Sequence, residues 1–230
     1  MKKLIILTGA GISSESGIDT FRDTDGLWEG HDVMEVASLK GFINNPSLVL
    51  DFYNQRRKQL LKVNPNKAHY NLKKLETTFD VTIITQNVDD LHERAKSENI
   101  IHLHGELLKV RSIKDENLIY DCKKDINIGD MAIDKTQLRP HIVWFGEEVP
   151  MLDKAIEITK KADVLVVIGT SMQVYPAASL VNYVKQNTPI YFIDPKPTIN
   201  KNVFNNLKII KDVASSGTDT LLELLGVINH

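Results

Sequence analysis

Cysteine is nearly absent from this 230-residue sequence, in which Cys122 is the only one. A single thiol excludes an internal disulfide and a metal site built from four cysteines. Long apolar runs are absent as well: no stretch approaches membrane-spanning length, and Leu4–Leu7 is too short for the core of a signal peptide. The formal net charge is only −2, so the composition gives no reason to expect nucleic acid or an anionic membrane as a partner. These absences predict a reduced, cytoplasmic protein.

Short apolar runs alternate with amphipathic stretches along the chain. Runs that are buried on both faces suit a parallel sheet covered by helices. The expected strands are Leu4–Leu7, Val81–Ile84, Val164–Ile168 and Ile190–Ile193, and the expected helices are Pro46–Lys62 and Ala68–Glu76. This alternation predicts an α/β fold, with a Rossmann-type doubly wound parallel sheet and a small inserted subdomain.

A polar stretch interrupts this alternation, since residues 106–139 are rich in Lys, Asp and Asn. We therefore expect a single domain over residues 1–230 that has two parts. The Rossmann part covers about residues 1–30, 76–105 and 140–230. The small subdomain covers about residues 31–75 and 106–139.

A Gly-rich segment, Thr8–Gly17, follows the first predicted strand. Gly9 and Gly11 let the backbone turn sharply and approach a ligand, and the amides of a following helix would face a pyrophosphate. The third glycine comes three residues late for the dinucleotide fingerprint. No strand-like run precedes the acidic residue that dehydrogenases carry about 20 residues downstream. The segment alone fits a nucleotide loop or a structural turn, and a hydride-transfer enzyme fits poorly.

A series of short motifs runs from the Gly-rich segment toward the carboxyl end. The motifs are Gly9–Ile18, Thr20–Arg22, Gly26–Trp28, Thr85–Asp89, Leu91–His92, His102–Gly105, Arg139–Glu147, Gly169–Ser171 and Val174–Pro176. In this order they resemble the sirtuin family of NAD⁺-dependent protein deacylases, over residues 4 to about 225. The resemblance implies a cleft between a Rossmann-type domain and a small domain, where NAD⁺ meets the acyl-lysine of a protein or peptide.

The resemblance also implies which residues line that cleft. Those expected to bind NAD⁺ are Gly9, Ala10, Gly11, Ser14, Phe21, Arg22, Trp28, Gln86, Asn87, Val88, Asp89, Gly169, Thr170, Ser171, Asp194 and Ala214. Asp194 stands where family members commonly carry asparagine. Those expected to bind the substrate are Tyr53, Arg56, Val143, Phe145, Gly146, Glu147, Val174 and Tyr175. Apart from the first two, these residues resemble the edges between which sirtuins hold an extended peptide as an added strand.

His104 is the expected general base, and Asn87 and Asp89 are the other expected catalytic residues. Imidazole titrates near neutrality, so it can take a proton from a ribose hydroxyl without an extreme pKa shift. The resemblance implies that the acyl oxygen attacks the anomeric carbon as nicotinamide leaves, and that the products are free lysine, nicotinamide and O-acyl-ADP-ribose. The alternative is a structural histidine. His102 illustrates it, because alternation in a strand would place it on the same face as His104.

The acyl group to be removed is predicted from the helix Pro46–Lys62. Tyr53 and Arg56 are three residues apart and share one helical face, where Arg56 can hold a carboxylate with two hydrogen bonds. The pair resembles the Tyr-x-x-Arg of sirtuins that remove succinyl, malonyl and glutaryl groups, and some relatives with this pair also remove acetyl groups. The alternative is that Arg56 and Arg57 form a solvated charge pair while Tyr53 belongs to the core.

Zinc is not expected. Most sirtuins carry two Cys-x-x-Cys pairs that bind structural zinc, but Ser112 stands where the first of these cysteines would fall. One thiolate cannot build a tetrahedral site from nitrogen and sulfur ligands. The stability that zinc would add must come from packing. The residues expected to provide it are Leu118, Ile119, Ile126 and Ile128.

Two other functions remain open from the sequence. An ADP-ribosyltransferase or NAD⁺ glycohydrolase would share the release of nicotinamide, but Phe145–Glu147 and Val174 favour a bound peptide. A non-catalytic NAD⁺ sensor would not need His104, Asn87 and Asp89 together. The expected partners are acyl-lysine proteins or peptides, and a monomer is expected.

Overall fold

A six-stranded parallel sheet forms the larger part of the computed structural model, which describes residues 1–19, 27, 28, 30–199, 204 and 206–227. The strand order is β11-β10-β9-β1-β4-β5. The strands are β1 (Lys3–Thr8), β4 (Asp80–Thr85), β5 (Ile100–His102), β9 (Val164–Ile168), β10 (Ile190–Ile193) and β11 (Leu207–Ile210). The parallel Rossmann-type sheet predicted from the sequence is confirmed. The edge strand β11 lacks a long apolar run and was not predicted, and β5 ends at His102, so His104 follows this strand and does not alternate with His102 within it.

Helices cover both faces of this sheet. Alternate residues of β1 point to opposite sides, and each set packs against its own helices. Leu4 and Ile6 pack with α4 (Lys67–Leu75) and α7 (Ala214–Leu224). Ile5 and Leu7 pack with α6 (Leu152–Thr159) and the 3₁₀ helix Ala177–Tyr183. The sheet is therefore doubly wound, as expected.

The smaller part contains the antiparallel sheet β7-β6-β8 and a set of helices. Its strands are β6 (Gly105–Ser112), β7 (Ile119–Asp121) and β8 (Leu138–Ile142), with the hairpin β2 (Leu27–Trp28) and β3 (His31–Asp32). Its helices are α1 (Val33–Val36), α2 (Leu39–Asn44) and α3 (Pro46–Leu60), while α5 (Leu91–Arg94) follows β4. Helix α3 begins as predicted, since the Asn45 side chain accepts from the Leu48 amide at 3.2 Å and Pro46 opens the first turn.

The boundary expected at residue 75 is wrong for α4. This helix was assigned to the small subdomain, but it buries Ala68, Leu72 and Leu75 against the large sheet. Its amphipathic pattern predicts that one face is buried and does not say against which sheet. Strand β8 also begins at Leu138, so residues 140–142 belong to the small sheet and not to the Rossmann part.

Hydrogen bonds of the Ser112 side chain stabilise the segment in which the sequence lacks zinc-binding cysteines. Ser112 is 1% exposed; its hydroxyl donates to Asp134 at 2.6 Å and accepts from the amides of Lys114 and Asp115 at 3.0 Å each. The expected packing is only partly present. Ile126 is buried, but Ile119 and Ile128 are 42% and 58% exposed, because a thin hairpin buries few side chains.

The described ranges contain neither a candidate metal cluster nor a candidate membrane-spanning helix. Within them, no group of three or more His, Cys, Asp or Glu side chains is placed to hold a metal ion. Cys122 is buried and its thiol donates to the Lys124 carbonyl at 3.3 Å. Nor does any helix in those ranges combine the length and apolarity that crossing a membrane requires.

Candidate active site

A cavity of about 890 Å³ opens between the carboxyl edge of the large sheet and the small subdomain. Every predicted site residue that the structure describes lies on its wall. These residues are Gly9, Ala10, Gly11, Ser14, Trp28, Tyr53, Arg56, Gln86, Asn87, Val88, Asp89, His104, Val143, Phe145, Gly146, Glu147, Gly169, Thr170, Ser171, Val174, Tyr175, Asp194 and Ala214. Phe21 and Arg22 lie outside the described residues.

Glycines from two loops interlock at the floor of the cavity. A Cβ on Gly11 would lie 2.6 Å from Gly169 Cα, and a Cβ on Gly9 would lie 2.8 Å from the Gly169 carbonyl oxygen. Gly169 itself has a φ of +62°. The small residues are therefore required first for the contact between the loops after β1 and β9. The helix expected after Gly11 is replaced by two 3₁₀ turns, Ala10–Ile12 and Ser14–Ser16, which Gly17 ends at a φ of +93°.

Ser13 joins the two expected catalytic side chains on the loop after β4. Its hydroxyl donates to Asp89 Oδ2 at 2.9 Å and accepts from Asn87 Nδ2 at 3.1 Å. All three side chains are buried. Burial raises the pKa of Asp89, while hydrogen bonds from the Leu91 amide and Ser13 oppose that rise. The site thus presents a fixed polar cluster against the interlocked glycines.

His104 follows β5 by two residues and is held by the same loop. Its Nδ1 lies 2.9 Å from the Gln86 carbonyl oxygen, which can only accept, so Nδ1 carries the hydrogen. Nε2 is then the basic nitrogen of the neutral ring. Burial lowers the pKa of His104, and the bond to Gln86 opposes this only in part. The ring is therefore neutral at physiological pH, the state that a general base requires.

An arginine–glutamate pair shapes the loop after β8. Arg139, 3% exposed, donates to both carboxylate oxygens of Glu147, at 2.6 and 3.1 Å, and its guanidinium lies 3.4 Å from the centre of the Trp144 ring. Glu147 also accepts from the Trp144 amide at 2.8 Å. Its carboxylate, expected to bind substrate, is thus engaged in holding the loop. Phe145 and Tyr175 remain 43% and 73% exposed at the two edges of the cleft.

Tyr53 and Arg56 line the same cavity as His104, on the side of α3. Tyr53 is fully buried, and its hydroxyl accepts from Trp144 Nε1 at 2.9 Å. Burial raises the pKa of Tyr53, so the phenol keeps its proton. Arg56 lies over the Phe52 ring at 5.2 Å. The alternative interpretation of this helix is wrong for Arg57, which is 1% exposed and bonds to Leu107 and Asn54, but it is right that Tyr53 belongs to the core.

Comparison with known proteins identifies the family. The sequence profile of the Sir2 family matches residues 9–176. The chain belongs to the Sir2 family. An NAD-dependent protein deacylase of Helicobacter pylori is 60% identical over 225 residues, covering 98% of each chain. A solved Sir2 homolog–NAD complex is 39% identical with a TM-score of 0.87, covering 98% of this chain and 90% of that one.

A further solved structure, Sir2 bound to an acetylated peptide, is 28% identical with a TM-score of 0.81, covering 98% of this chain and 94% of that one. These matches confirm the resemblance to sirtuins, which are the Sir2 proteins. They support NAD-dependent protein deacylation as the activity of the family, with NAD as its co-substrate. The cavity fits NAD because its floor presents the backbones of Gly9, Gly11 and Gly169, which carry no side chains that would keep a ligand away.

Some residues of this Sir2 site were missed from the sequence. Ser13 and Glu15 stand inside the first motif, and Ser13 could have been found from its place between Gly11 and Ser14. Glu15 Oε2 accepts from the Ser215 amide at 2.9 Å, which ties the first loop to the start of α7 beside Ala214. Trp144 lies inside the motif Arg139–Glu147, and its bond to Tyr53 joins residues 91 positions apart. No local pattern predicts such a contact.

Proposed function

We propose that this chain is an NAD⁺-dependent protein-lysine deacylase that prefers succinyl, malonyl and glutaryl groups and also removes acetyl groups. One observation carries the acyl preference: Arg56 and Tyr53 line the same cavity as His104, whereas the neighbouring Arg57 is buried in packing. A guanidinium and a protonated phenol are the donors that a terminal carboxylate needs.

Bound NAD⁺ would supply an electrophilic ribose carbon once nicotinamide leaves, and ADP-ribose as the acceptor of the acyl group. His104 Nε2 takes the proton of a ribose hydroxyl, because Nδ1 is already committed to the Gln86 carbonyl. Asn87 and Asp89 face the ribose with side chains that Ser13 holds in place. A fixed polar cluster in a closed site stabilises developing positive charge at little reorganisation cost.

The substrate peptide would lie between two loop edges. Val143 stays in register with His104, since its amide donates to the His104 carbonyl at 2.9 Å. Phe145 and Gly146 form one edge, and Val174 and Tyr175 form the other. Main-chain pairing to both edges would hold an extended peptide with little dependence on its sequence.

The acyl chain would point from this peptide toward α3. Because the Tyr53 hydroxyl accepts from Trp144, its own proton is free to be donated to a carboxylate. Arg56 adds the charge that a succinyl group requires and an acetyl group does not. We further propose a cytoplasmic monomer acting on proteins or peptides; a single cysteine agrees with a reducing compartment.

Product analysis tests this function against its two rivals. The purified chain is incubated with NAD⁺ and matched succinyl, malonyl, glutaryl and acetyl peptides, and the products are identified by mass spectrometry. We expect free lysine peptide, nicotinamide and O-acyl-ADP-ribose. Free ADP-ribose that forms equally without a peptide would identify a glycohydrolase, ADP-ribosylated peptide a transferase, and unchanged NAD⁺ a sensor.

A further inference from the structure

Three successive backbone carbonyl groups of the loop after β4 accept hydrogen bonds from the last residue of β5 and from the segment that follows it. The carbonyls of Gln86, Asn87 and Val88 accept from His104 Nδ1 at 2.9 Å, His102 Nδ1 at 3.2 Å and the Leu107 amide at 2.8 Å. The middle donor, His102, has no assigned place in the chemistry. Its ring contacts the backbone of Asn87, and the side chain of Asn87 lines the cavity.

The hydrogen-bond partners of His102 determine its charge. Nδ1 faces the Asn87 carbonyl oxygen, and Nε2 lies 2.7 Å from Glu93 Oε1. Both partners are acceptors, whereas a neutral imidazole has only one N–H to donate. Burial would raise the pKa of Glu93, but the bond to His102 outweighs it and lowers that pKa, so Glu93 is ionised and only the doubly protonated ring satisfies both contacts. The ring is well covered, with 11% of its side chain exposed, so water cannot easily replace either partner.

We propose that His102 is an imidazolium that acts as a positioning residue, fixing the Asn87–Asp89 loop against the ribose, and that loss of its proton at alkaline pH loosens this loop. The imidazolium form of His102 donates to the Asn87 carbonyl oxygen through Nδ1. The neutral form must give up either Asn87 or Glu93, and Glu93 competes for the remaining hydrogen as the stronger acceptor.

Charged groups on every neighbouring element bear on this ring. Glu93 and His92 act on it from α5, Asp89 from the loop itself and Glu106 from β6, where Lys109 pairs with Glu106 at 2.8 Å. Three are carboxylates, and His92 is buried in its neutral form because burial lowers its pKa. Burial would lower the pKa of His102, but the hydrogen bond and charge of Glu93, with the charge of Glu106, outweigh it and raise that pKa. The surroundings thus favour the imidazolium.

Nitrogen NMR of the ¹⁵N-labelled full chain tests the charge without any turnover. We expect both ring nitrogens of His102 to be protonated at pH 7, and to lose one proton at lower pH in Glu93→Gln than in the wild type. Glu157→Gln is the matched control, because it removes an exposed carboxylate paired with Lys160 on α6. A neutral His102 ring at pH 7 in the wild type overturns the proposal.

Kinetics then test the positioning, which rests on the proposed deacylase function. Peptide deacylation is followed from pH 6 to pH 10 in the wild type and in Glu93→Gln, His102→Gln and Glu157→Gln. We expect the alkaline fall of kcat to move to lower pH in Glu93→Gln and to stay in place in Glu157→Gln. His102→Gln should lower kcat about tenfold at pH 7.5, the scale of a lost hydrogen bond to a charged group, while KM for the peptide changes less than about twofold.

The NMR experiment and the kinetic experiment can contradict the proposal independently of each other. An alkaline limb that coincides in the wild type and Glu93→Gln overturns the positioning of the loop by His102. A chain that deacylates no peptide overturns the proposed function, while the NMR arm still decides the charge of His102.

Discussion

Arg56 and Arg57 are adjacent in sequence but lie on different sides of α3. One turn of an α-helix takes 3.6 residues, so neighbours point about 100° apart. Arg56 is directed to the cavity, and Arg57 is directed to the carbonyl of Leu107 in the small sheet. This difference makes it feasible to remove the guanidinium from the cleft while the structural one stays in place.

Arg56→Met should lower kcat/KM for succinyl-lysine about tenfold to a hundredfold and leave acetyl-lysine within about twofold. The loss corresponds to about 1.5–3 kcal/mol, the cost of a hydrogen bond to a charged group. Steady-state assays on paired peptides measure both values. Lys58→Met is the control, because it removes an exposed cation of the same helix that pairs with Asp125. Equal losses on the two peptides would mean that Arg56 supports the fold and does not contact the acyl carboxylate.

His104→Ala should lower deacylation about 10²–10⁴-fold while NAD⁺ still binds, because a general base acts mainly in the transition state. In the wild type, burial lowers the pKa of His104 from its ordinary 6.5. The basic form therefore dominates at neutral pH, and kcat should fall only as the pH drops below about 6.5. Calorimetric NAD⁺ titration and a pH–rate profile measure these effects. A His104→Ala enzyme with near-normal kcat would remove this residue from the mechanism; His141→Ala in β8 is the control.

At the scale of secondary structure, the sequence predicts elements better than their partners. Runs such as Val164–Ile168 are continuous and apolar because both faces of a central parallel strand are buried, and the predicted bounds match. The short edge strand Ile100–His102 has no such pattern. For α4 the periodicity correctly predicts a buried face, but only the three-dimensional structure shows that this face contacts the large sheet. The residues that line the cavity could be predicted because their motifs are local, whereas the contact of Trp144 with Tyr53 joins distant parts of the chain and could not.

The small antiparallel sheet should fold without zinc, with Ser112 in place of a metal ligand. Its buried hydroxyl contacts Asp134, two backbone amides and Thr136, so Ser112→Ala should destabilise the protein by about 1–3 kcal/mol. Denaturant unfolding measures this cost, with the exposed Ser216→Ala in α7 as control.

Chelation gives an independent check on the same sheet. The wild type should keep its Tm in a strong chelator, and elemental analysis should find no stoichiometric zinc. One zinc per chain, or a Tm that drops on chelation, would contradict this expectation and would require ligands in addition to Cys122.

For the whole molecule, two buried histidines connect β1, α4 and α5. His69 and His92 are fully buried with ring centres 5.0 Å apart, and His92 Nε2 lies 3.1 Å from the Thr8 hydroxyl. Burial lowers the pKa of His69 to about 4 and that of His92 well below its ordinary value. Both are thus neutral in the folded state, and folded chains bind fewer protons than unfolded ones below pH 6.5.

The stability that His69 and His92 contribute should therefore be fully present above about pH 6.5 and be lost as the pH drops toward 4. His69 alone accounts for roughly 3 kcal/mol, since each pKa unit corresponds to about 1.4 kcal/mol. His102 has the opposite sign: its raised pKa stabilises the fold below pH 6.5, and this contribution is lost as the pH rises through the folded value. Denaturant unfolding at pH 7.5, 5.5 and 4.5 measures the acid effect. His69→Gln should flatten the slope, and equal slopes in the two proteins would contradict the assignment.

The contact of Gly9 and Gly11 with Gly169 also determines at which stage of chain synthesis the cleft can form. Gly9 and Gly11 follow β1, while Gly169 follows β9, a strand that leaves the ribosome more than 150 residues later than β1. β1 pairs with both β4 and β9, so the floor has only one of its two sides until the second half of the chain arrives. A nascent chain that contains the Gly-rich segment but not the loop after β9 therefore lacks a complete dinucleotide site. Binding of NAD⁺ therefore requires that β9 has paired with β1, so the dinucleotide binds the assembled sheet and not the Gly-rich segment alone.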